Sequence, residues 1–420
     1  MTVGAFISGV SVAERHPSVL ALRLLWSLRV DSFSSTRGAN FSDLSDLEVC
    51  HERAFSRDSL EKHLVEKISN AILERESSLI VGGPGGIGKS VFWEALLRRR
   101  PVLRGDGVWA NLPGPTRVVN LLKCKDLDAF ESHVISAFYP TPFLPSFGLS
   151  SPPTYAGALH VLECALQRLP KKSPLVLFIE DVNHITTFKD WETSYATLAN
   201  AIASNGNAVI VGNSSALLAY MNFEGLSHSG RRTSVYFFPS LRSDDKELLQ
   251  FAQNGGHLWA MDSGGHTGAQ SLVSKINVWG GNVKLVKKGT SNDEDLLRTK
   301  IGQSLREVRV PVHWAGRVLL PESSRERILK LRKELLQQLA DSPASENHEL
   351  RVKSLSPEMK ELMIAEQLAA LDLVVFRTVR NESGEEIVVA PCYPAVLLQY
   401  QAYIAATKPP AAAPSWWKWW

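Results

Sequence analysis

The run Ser78-Leu79-Ile80-Val81-Gly82-Gly83-Pro84-Gly85-Gly86-Ile87-Gly88-Lys89-Ser90 passes from an apolar strand pattern through a glycine-rich turn into a helical pattern. From Gly83 onward it satisfies G-x-x-x-x-G-K-[ST], and a strand before and a helix after are the context this pattern requires. The glycines let backbone N–H groups converge on phosphate oxygens at a helix N-terminus, where partial positive charge favours an anion. Lys89 is placed to reach the β- and γ-phosphates, and the Ser90 hydroxyl to ligate magnesium. Gly83, Pro84, Gly85, Gly86, Ile87, Gly88, Lys89 and Ser90 are therefore the candidate nucleotide-binding residues, with ATP and Mg2+ as the implied cofactors.

Around this turn the pattern alternates between helix and strand. A helix is expected at Leu60–Glu76, a strand at Ser78–Val81 and a helix from Lys89 until Pro101 stops it. Further apolar strands are expected at Arg117–Leu121, Leu175–Ile179, Ala208–Val211 and Ser234–Phe238, with helical stretches between them. That alternation predicts an α/β fold, a parallel sheet with right-handed crossovers and helices on both faces. Tyr139–Tyr155 is dense in proline and reads as a loop, and Ser243–Gln253 as a helix behind the last strand.

Leu175-Val176-Leu177-Phe178-Ile179-Glu180-Asp181 is an apolar strand ending in two acids, about ninety residues beyond the glycine-rich turn. A parallel strand presents its functional groups at its C-terminal end. One carboxylate is expected to hold magnesium and the other to orient or deprotonate the attacking water. Asp181 is the candidate metal ligand beside Ser90, but the order of the two acids leaves their roles open.

The chain has 420 residues, 44% hydrophobic and 21% charged, which suits a globular protein of two or three domains. Its 46 basic and 43 acidic residues leave a net charge of +3, so no global field marks a nucleic-acid binder. Cys50, Cys124, Cys164 and Cys392 have neither zinc-site spacing nor disulfide density, which fits a reducing compartment. No apolar run reaches the roughly 18 residues of a membrane-spanning helix. The segment 1–42 carries Arg15, Arg23, Arg29 and Arg37, many serines and no lysine, which is transit-peptide composition and predicts a mitochondrial rather than a cytoplasmic protein. A short helix docked on the core is the alternative reading of Leu20–Arg29.

The boundaries expected from these patterns are a P-loop α/β domain at 43–253, a helical lid region at 254–341, a winged-helix-like domain at 342–407 and a Trp-rich tail at 408–420. Ser323–Ala340 has Ile328, Leu331, Leu335, Leu336 and Leu339 at helical spacing. Pro357–Leu371 reads as a helix, Val374–Val379 and Ile387–Ala390 as strands about the turn Asn381–Glu385, and Tyr393–Ala406 as a closing helix.

With these motifs in place, the chain from Phe55 to about Lys288 resembles the AAA+/STAND class of P-loop ATPases, which includes origin-recognition ATPases and NB-ARC switches. Phe55-Ser56-Arg57-Asp58 resembles the segment that lies over the adenine in this class, which implies a nucleotide contact for Arg57. Ala208-Val209-Ile210-Val211-Gly212-Asn213 stands where the class has its sensor-1 strand, implying a γ-phosphate-side role for Asn213. Gly230-Arg231-Arg232 stands where many members carry an arginine finger, implying that Arg231 or Arg232 acts at a neighbour's γ-phosphate. Trp279-Gly280-Gly281-Asn282 resembles the lid turn. The usual order of acids is Asp then Glu, and here Glu180 precedes Asp181.

The resemblance implies Mg-dependent ATP binding and an ATPase that remodels or assembles an unidentified protein or ribonucleoprotein partner, acting alone or as a homo-oligomer. A slowly hydrolysing or non-hydrolysing nucleotide switch is the second reading, and a nucleic-acid-binding ATPase working through the winged helix the third. Direct DNA binding is disfavoured by charge, because Arg351–Trp420 holds seven basic and seven acidic residues.

Overall fold

The computed structural model describes Leu24 and residues 57–83, 85–97, 112, 114–139, 153–169, 174–204, 207–214, 233–239, 276, 278–279, 291–308, 325–343, 348–362, 364–369, 371, 373–381 and 384–407. Two compact units result, one of Met1–Gly82 and Lys89–Tyr236, the other of Gly83–Gly88 and Phe237–Trp420. Among the described residues, no helix is long and apolar enough to cross a membrane.

In the first unit, α1 (Asp58–Leu73) leads to β1 (Ser78–Gly82), and α2 (Lys89–Leu97) follows the glycine-rich turn. Next come β2 (Thr116–Asn120), α3 (Leu127–Phe138), α4 (Tyr155–Leu166), β3 (Leu175–Glu180), α5 (Trp191–Ala203), β4 (Ala208–Ser214) and β5 (Thr233–Phe237). The strands form one sheet in the order β2-β3-β4-β1-β5, and the β2–β3, β3–β4 and β1–β4 pairings are parallel. The mixed α/β fold with its parallel sheet is thus the one expected from the sequence.

Both sheet faces are covered, so the central strands are apolar throughout rather than alternating. Ile80, Leu177, Ile179 and Ile210 join Phe130, Val134, Leu162, Tyr195 and Leu198 in one buried cluster. Phe178 points the other way, onto Trp93 of α2, with ring centroids 5.1 Å apart. Side chains of α3 and α4 start at good caps: Asp126 Oδ1 accepts from Ala129 N at 2.8 Å and Thr154 Oγ1 from Gly157 N at 3.3 Å. Leu24 is helical, fully buried and part of the same cluster as Ile80 and Phe130.

The connection leaving β1 runs to β2 at one edge, whereas that leaving β4 runs to β5 at the other. Outgoing connections that diverge in this way open a crevice over the carboxyl ends of adjacent strands. Register makes those ends level: Gly82 pairs with Ser214, Val81 with Asn213 and Ile179 with Gly212.

The second unit contains α6 (Ser291–Ser304), α7 (Arg325–Asp341), β6 (Leu350–Arg351), α8 (Pro357–Glu361), α9 (Ile364–Ala369), β7 (Val374–Asn381), β8 (Gly384–Pro391) and α10 (Pro394–Thr407). Its sheet is antiparallel in the order β6-β8-β7. Ile328, Leu331, Leu335, Leu336 and Leu339 are buried, as their spacing on α7 predicts. The single helix expected at Pro357–Leu371 is instead divided into α8 and α9, and β6 is a short pairing the sequence pattern did not show. The strands about the hairpin extend further than expected, because eight cross-strand pairs from Val374–Pro391 to Asn381–Gly384 continue through polar residues.

Most of the lid-region reading lies outside the described residues, including Gly280, Gly281 and Asn282. So do Ser243–Gln253, most of Tyr139–Tyr155 and the tail 408–420.

Candidate phosphate and metal site

The turn after β1 has the backbone its glycines permit. Gly83, Gly86 and Gly88 have φ of 157°, 86° and 92°, all in the range that side chains rarely adopt, Gly83 at its edge. A Cβ on Gly83 would stand 2.8 Å from Ile87 Cδ1, whereas one on Gly85 would meet nothing within 4 Å. Gly85 and Gly86 are exposed, and Lys89, at the start of α2, is buried at 5% exposure. Pro84 lies outside the described residues.

The strand ends supply the polar groups. Ser90 Oγ donates to Glu180 Oε1 at 2.8 Å, and Asn213 Nδ2 donates to the same oxygen at 2.9 Å. Glu180 closes β3 while Asn213 is the penultimate residue of β4, so one carboxylate oxygen gathers a hydroxyl from the phosphate-loop helix and an amide from the neighbouring strand. Asn213 is 2% exposed, and its Oδ1 is buried without a hydrogen-bond partner. Burial pushes the Glu180 carboxyl above its ordinary value and the nearby Asp181 adds to the rise, while the hydrogen bonds from Asn213 and Ser90 and the charge of Lys89 oppose it.

Asp181 follows in the left-handed region, with φ 52° and ψ 46°, and begins a 3-10 turn at Val182–Thr187. The His184 N–H donates to its carbonyl at 2.8 Å. Of the two acids, Glu180 is the one whose oxygen meets Ser90.

A magnesium ion is held in such sites by one or two carboxylates, a hydroxyl, phosphate oxygens and water rather than by a full protein cage. Among the described residues, no three His, Cys, Asp or Glu side chains gather to hold a metal ion. The hard oxygens of Ser90 and Glu180, paired at the start of α2, fit that sparse requirement.

The other sequence-derived positions are less informative. Arg57 precedes α1, where its carbonyl accepts from Glu61 N at 2.8 Å, and it is half-buried. Arg231 and Arg232 lie outside the described residues. No sequence pattern marks Ser214 or Asn183, yet Ser214 Oγ donates to Asn183 Oδ1 at 3.2 Å immediately beside the acids. No spacing rule links residues on successive strand ends, and that contact appears only once the strand order is known.

No family model matches the chain, and no curated protein sequence does. Among solved structures, it is similar to the Walker-type ATPase PABY2304 of Pyrococcus abyssi, at 14% identity and TM-score 0.46, over 83% of this chain and 97% of that one. It is also similar to Cdc6p from Pyrobaculum aerophilum, at 11% identity and TM-score 0.36, over 84% and 95%. The ORC1 protein of Aeropyrum pernix, solved in complex with DNA, is similar at 14% identity and TM-score 0.33, over 85% and 95%.

Proposed function

We propose that this protein binds ATP with magnesium and is a P-loop ATPase that acts on a macromolecular partner. The observation that carries the reading is the convergence of Ser90 Oγ and Asn213 Nδ2 on Glu180 Oε1, at 2.8 and 2.9 Å, at the carboxyl edge beside the glycine-rich turn. The N–H groups of Gly85–Ser90 hold the phosphates, and Lys89 carries the charge partner of the β- and γ-oxygens. Ser90 and Glu180 are read as the metal-side pair in place of Ser90 and Asp181, a reading supported by the Ser90–Glu180 contact. Asp181 is then the carboxylate that orients or deprotonates the attacking water, with Asn213 fixing Glu180 from the other side. Magnesium, when bound, neutralises charge on the β- and γ-phosphate oxygens. Arg57 is proposed at the base side, and Arg231 and Arg232 as groups supplied to a neighbour's nucleotide.

Residues 342–407, with α8 and α9 before an antiparallel hairpin and α10 after it, are proposed as a winged helix that contacts protein or ribonucleoprotein. The seven basic and seven acidic residues of Arg351–Trp420 support that over direct DNA binding. Mitochondrial targeting by 1–42 stays a proposal, and the burial of Leu24 favours instead a helix retained on the core.

The test is to replace the acids singly and measure affinity and turnover separately. Glu180→Gln is expected to weaken the magnesium-dependent part of ATP affinity, whereas Asp181→Asn spares affinity and lowers turnover 100-fold or more, on the order of a lost catalytic carboxylate. Equal, normal turnover in both variants would remove this strand end from the site.

A slowly hydrolysing switch is the second reading. Its specific support is that the acid placed for water activation is an aspartate, one methylene shorter than the glutamate usual in the class it resembles.

A further inference from the structure

Three successive residues at the end of β4 each meet a different part of the turn that carries the acids. A Cβ on Gly212 would fall 2.7 Å from Ile80 Cδ1 and 2.9 Å from Val182 Cγ1, so glycine lets Val182 close onto the strand. Asn213 binds Glu180. Ser214, fully buried, donates to Asn183 Oδ1 at 3.2 Å. Contacts on both sides therefore bracket Asp181, the one residue of this run whose backbone is left-handed.

That conformation is unfavourable for a residue with a β-carbon, though aspartate tolerates it better than most, and it persists where the surroundings over-determine it. Within the turn, the Asp181 carbonyl accepts from His184 N at 2.8 Å and Thr186 Oγ1 donates to the Asn183 carbonyl at 2.9 Å. These local bonds close the 3-10 turn, whose Val182 and Ile185 are buried in the core. Glu180 has an independent anchor, since its backbone lies in the β2–β3 ladder opposite Asn120. The side chain of Asp181 follows its own φ and ψ, which depend on where Glu180 before it and Val182 and Asn183 after it are held.

We propose that Ser214 and Asn183 form a positioning pair that holds Asp181 left-handed and so fixes the second carboxylate relative to Glu180 and Ser90. The inference rests on the nucleotide-site reading above and adds to it two residues that act through the backbone of a third. Without the pair, residue 181 relaxes toward right-handed or extended backbone and its carboxylate turns away, while Glu180, Ser90 and Asn213 stay in place.

Two measurements test this. The first is a stability cycle that needs no nucleotide. Glycine adopts left-handed backbone without the penalty alanine suffers, so D181G should have a higher urea midpoint than D181A. In a Ser214→Ala or Asn183→Ala background that gap should close, because residue 181 is no longer held there. An unchanged gap in both backgrounds overturns the proposal. The second is steady-state ATP turnover: Ser214→Ala and Asn183→Ala should lower kcat about 10- to 100-fold with KM within about twofold, the pattern of a misplaced rather than a missing group. Normal kcat in both overturns the functional half of the proposal. Where the wild type binds nucleotide without turning it over, the stability cycle decides alone. Failure of the wild type to bind ATP overturns the site reading itself, and is distinguishable because the stability cycle can still succeed.

Discussion

Glu180 is where burial and chemistry meet at the residue scale. Its carboxyl is raised above the ordinary value of 4.5, mainly because the charged form is poorly solvated. A carboxyl raised on folding favours the unfolded state once the unfolded chain has ionised, so stability contributed at low pH falls as pH rises from about 4.5 through the folded value. Glu180→Gln keeps an acceptor for Ser90 and Asn213 and removes the charge. It should therefore raise the thermal midpoint at pH 7, leave it little changed below pH 4, and flatten the profile between them, as scanning calorimetry across pH would show. A carboxylate that costs stability and is kept at a strand end is what a functional site is expected to contain. The glycine-rich turn, Lys89 and Ser90 were legible because the motif is a contiguous run with a known physical demand. The pairing of Ser90 with Glu180 was legible only as an expectation about strand ends, and which acid would meet Ser90 was not, since one residue's difference along a strand reverses the side-chain direction.

Elements were read reliably where periodicity dominates, and α7 shows both the strength and the blind spot of that reading. Its leucines and Ile328 are buried as their spacing predicts, but so is Arg332, at 0% exposure, one helical turn after Ile328. Counting it as a charge hid it, although its position lies on the apolar stripe. Arg332 Nη1 donates to the carbonyls of Ser304 and Glu307 at 3.0 and 3.1 Å, at the end of α6, and Nη2 to Gln367 Oε1 of α9 at 2.8 Å. Burial lowers its pKa to about 10, which leaves it charged at neutral pH. The carbonyls at a helix C-terminus compensate such a cation. Arg332→Met retains the bulk and abandons three acceptors, two of them buried, so it should destabilise the second unit by about 2–4 kcal/mol, read as a lower urea midpoint. The division of Pro357–Leu371 into two helices had no signal in apolar spacing, which continues across the break.

For the whole molecule, the sequence predicted the parallel sheet but not the order β2-β3-β4-β1-β5, because strand order depends on crossovers between segments with no sequence relation. Leu24 belongs to the sheet's core although it lies in a segment of transit-peptide composition. If that segment stays on the folded protein, Leu24→Ala leaves a cavity and should cost about 2–4 kcal/mol in chemical denaturation, an effect that would vanish if residues 1–42 were removed in the mature chain. Self-association is tested through Arg231 and Arg232. If either acts on a neighbour's nucleotide, Arg231→Ala or Arg232→Ala should lower turnover about 10³-fold with little change in ATP affinity, and mixing the variant with Lys89→Ala protein should restore part of the activity. Whether Gly83–Ser90 holds the phosphates of ATP with magnesium can be read by titrating a fluorescent ATP analogue, with magnesium, into wild-type and Lys89→Ala protein. Saturable binding by the wild type and its loss in the variant, with the fold intact by circular dichroism, are expected; equal affinity in the two proteins, or no binding by either, would overturn the phosphate-site assignment.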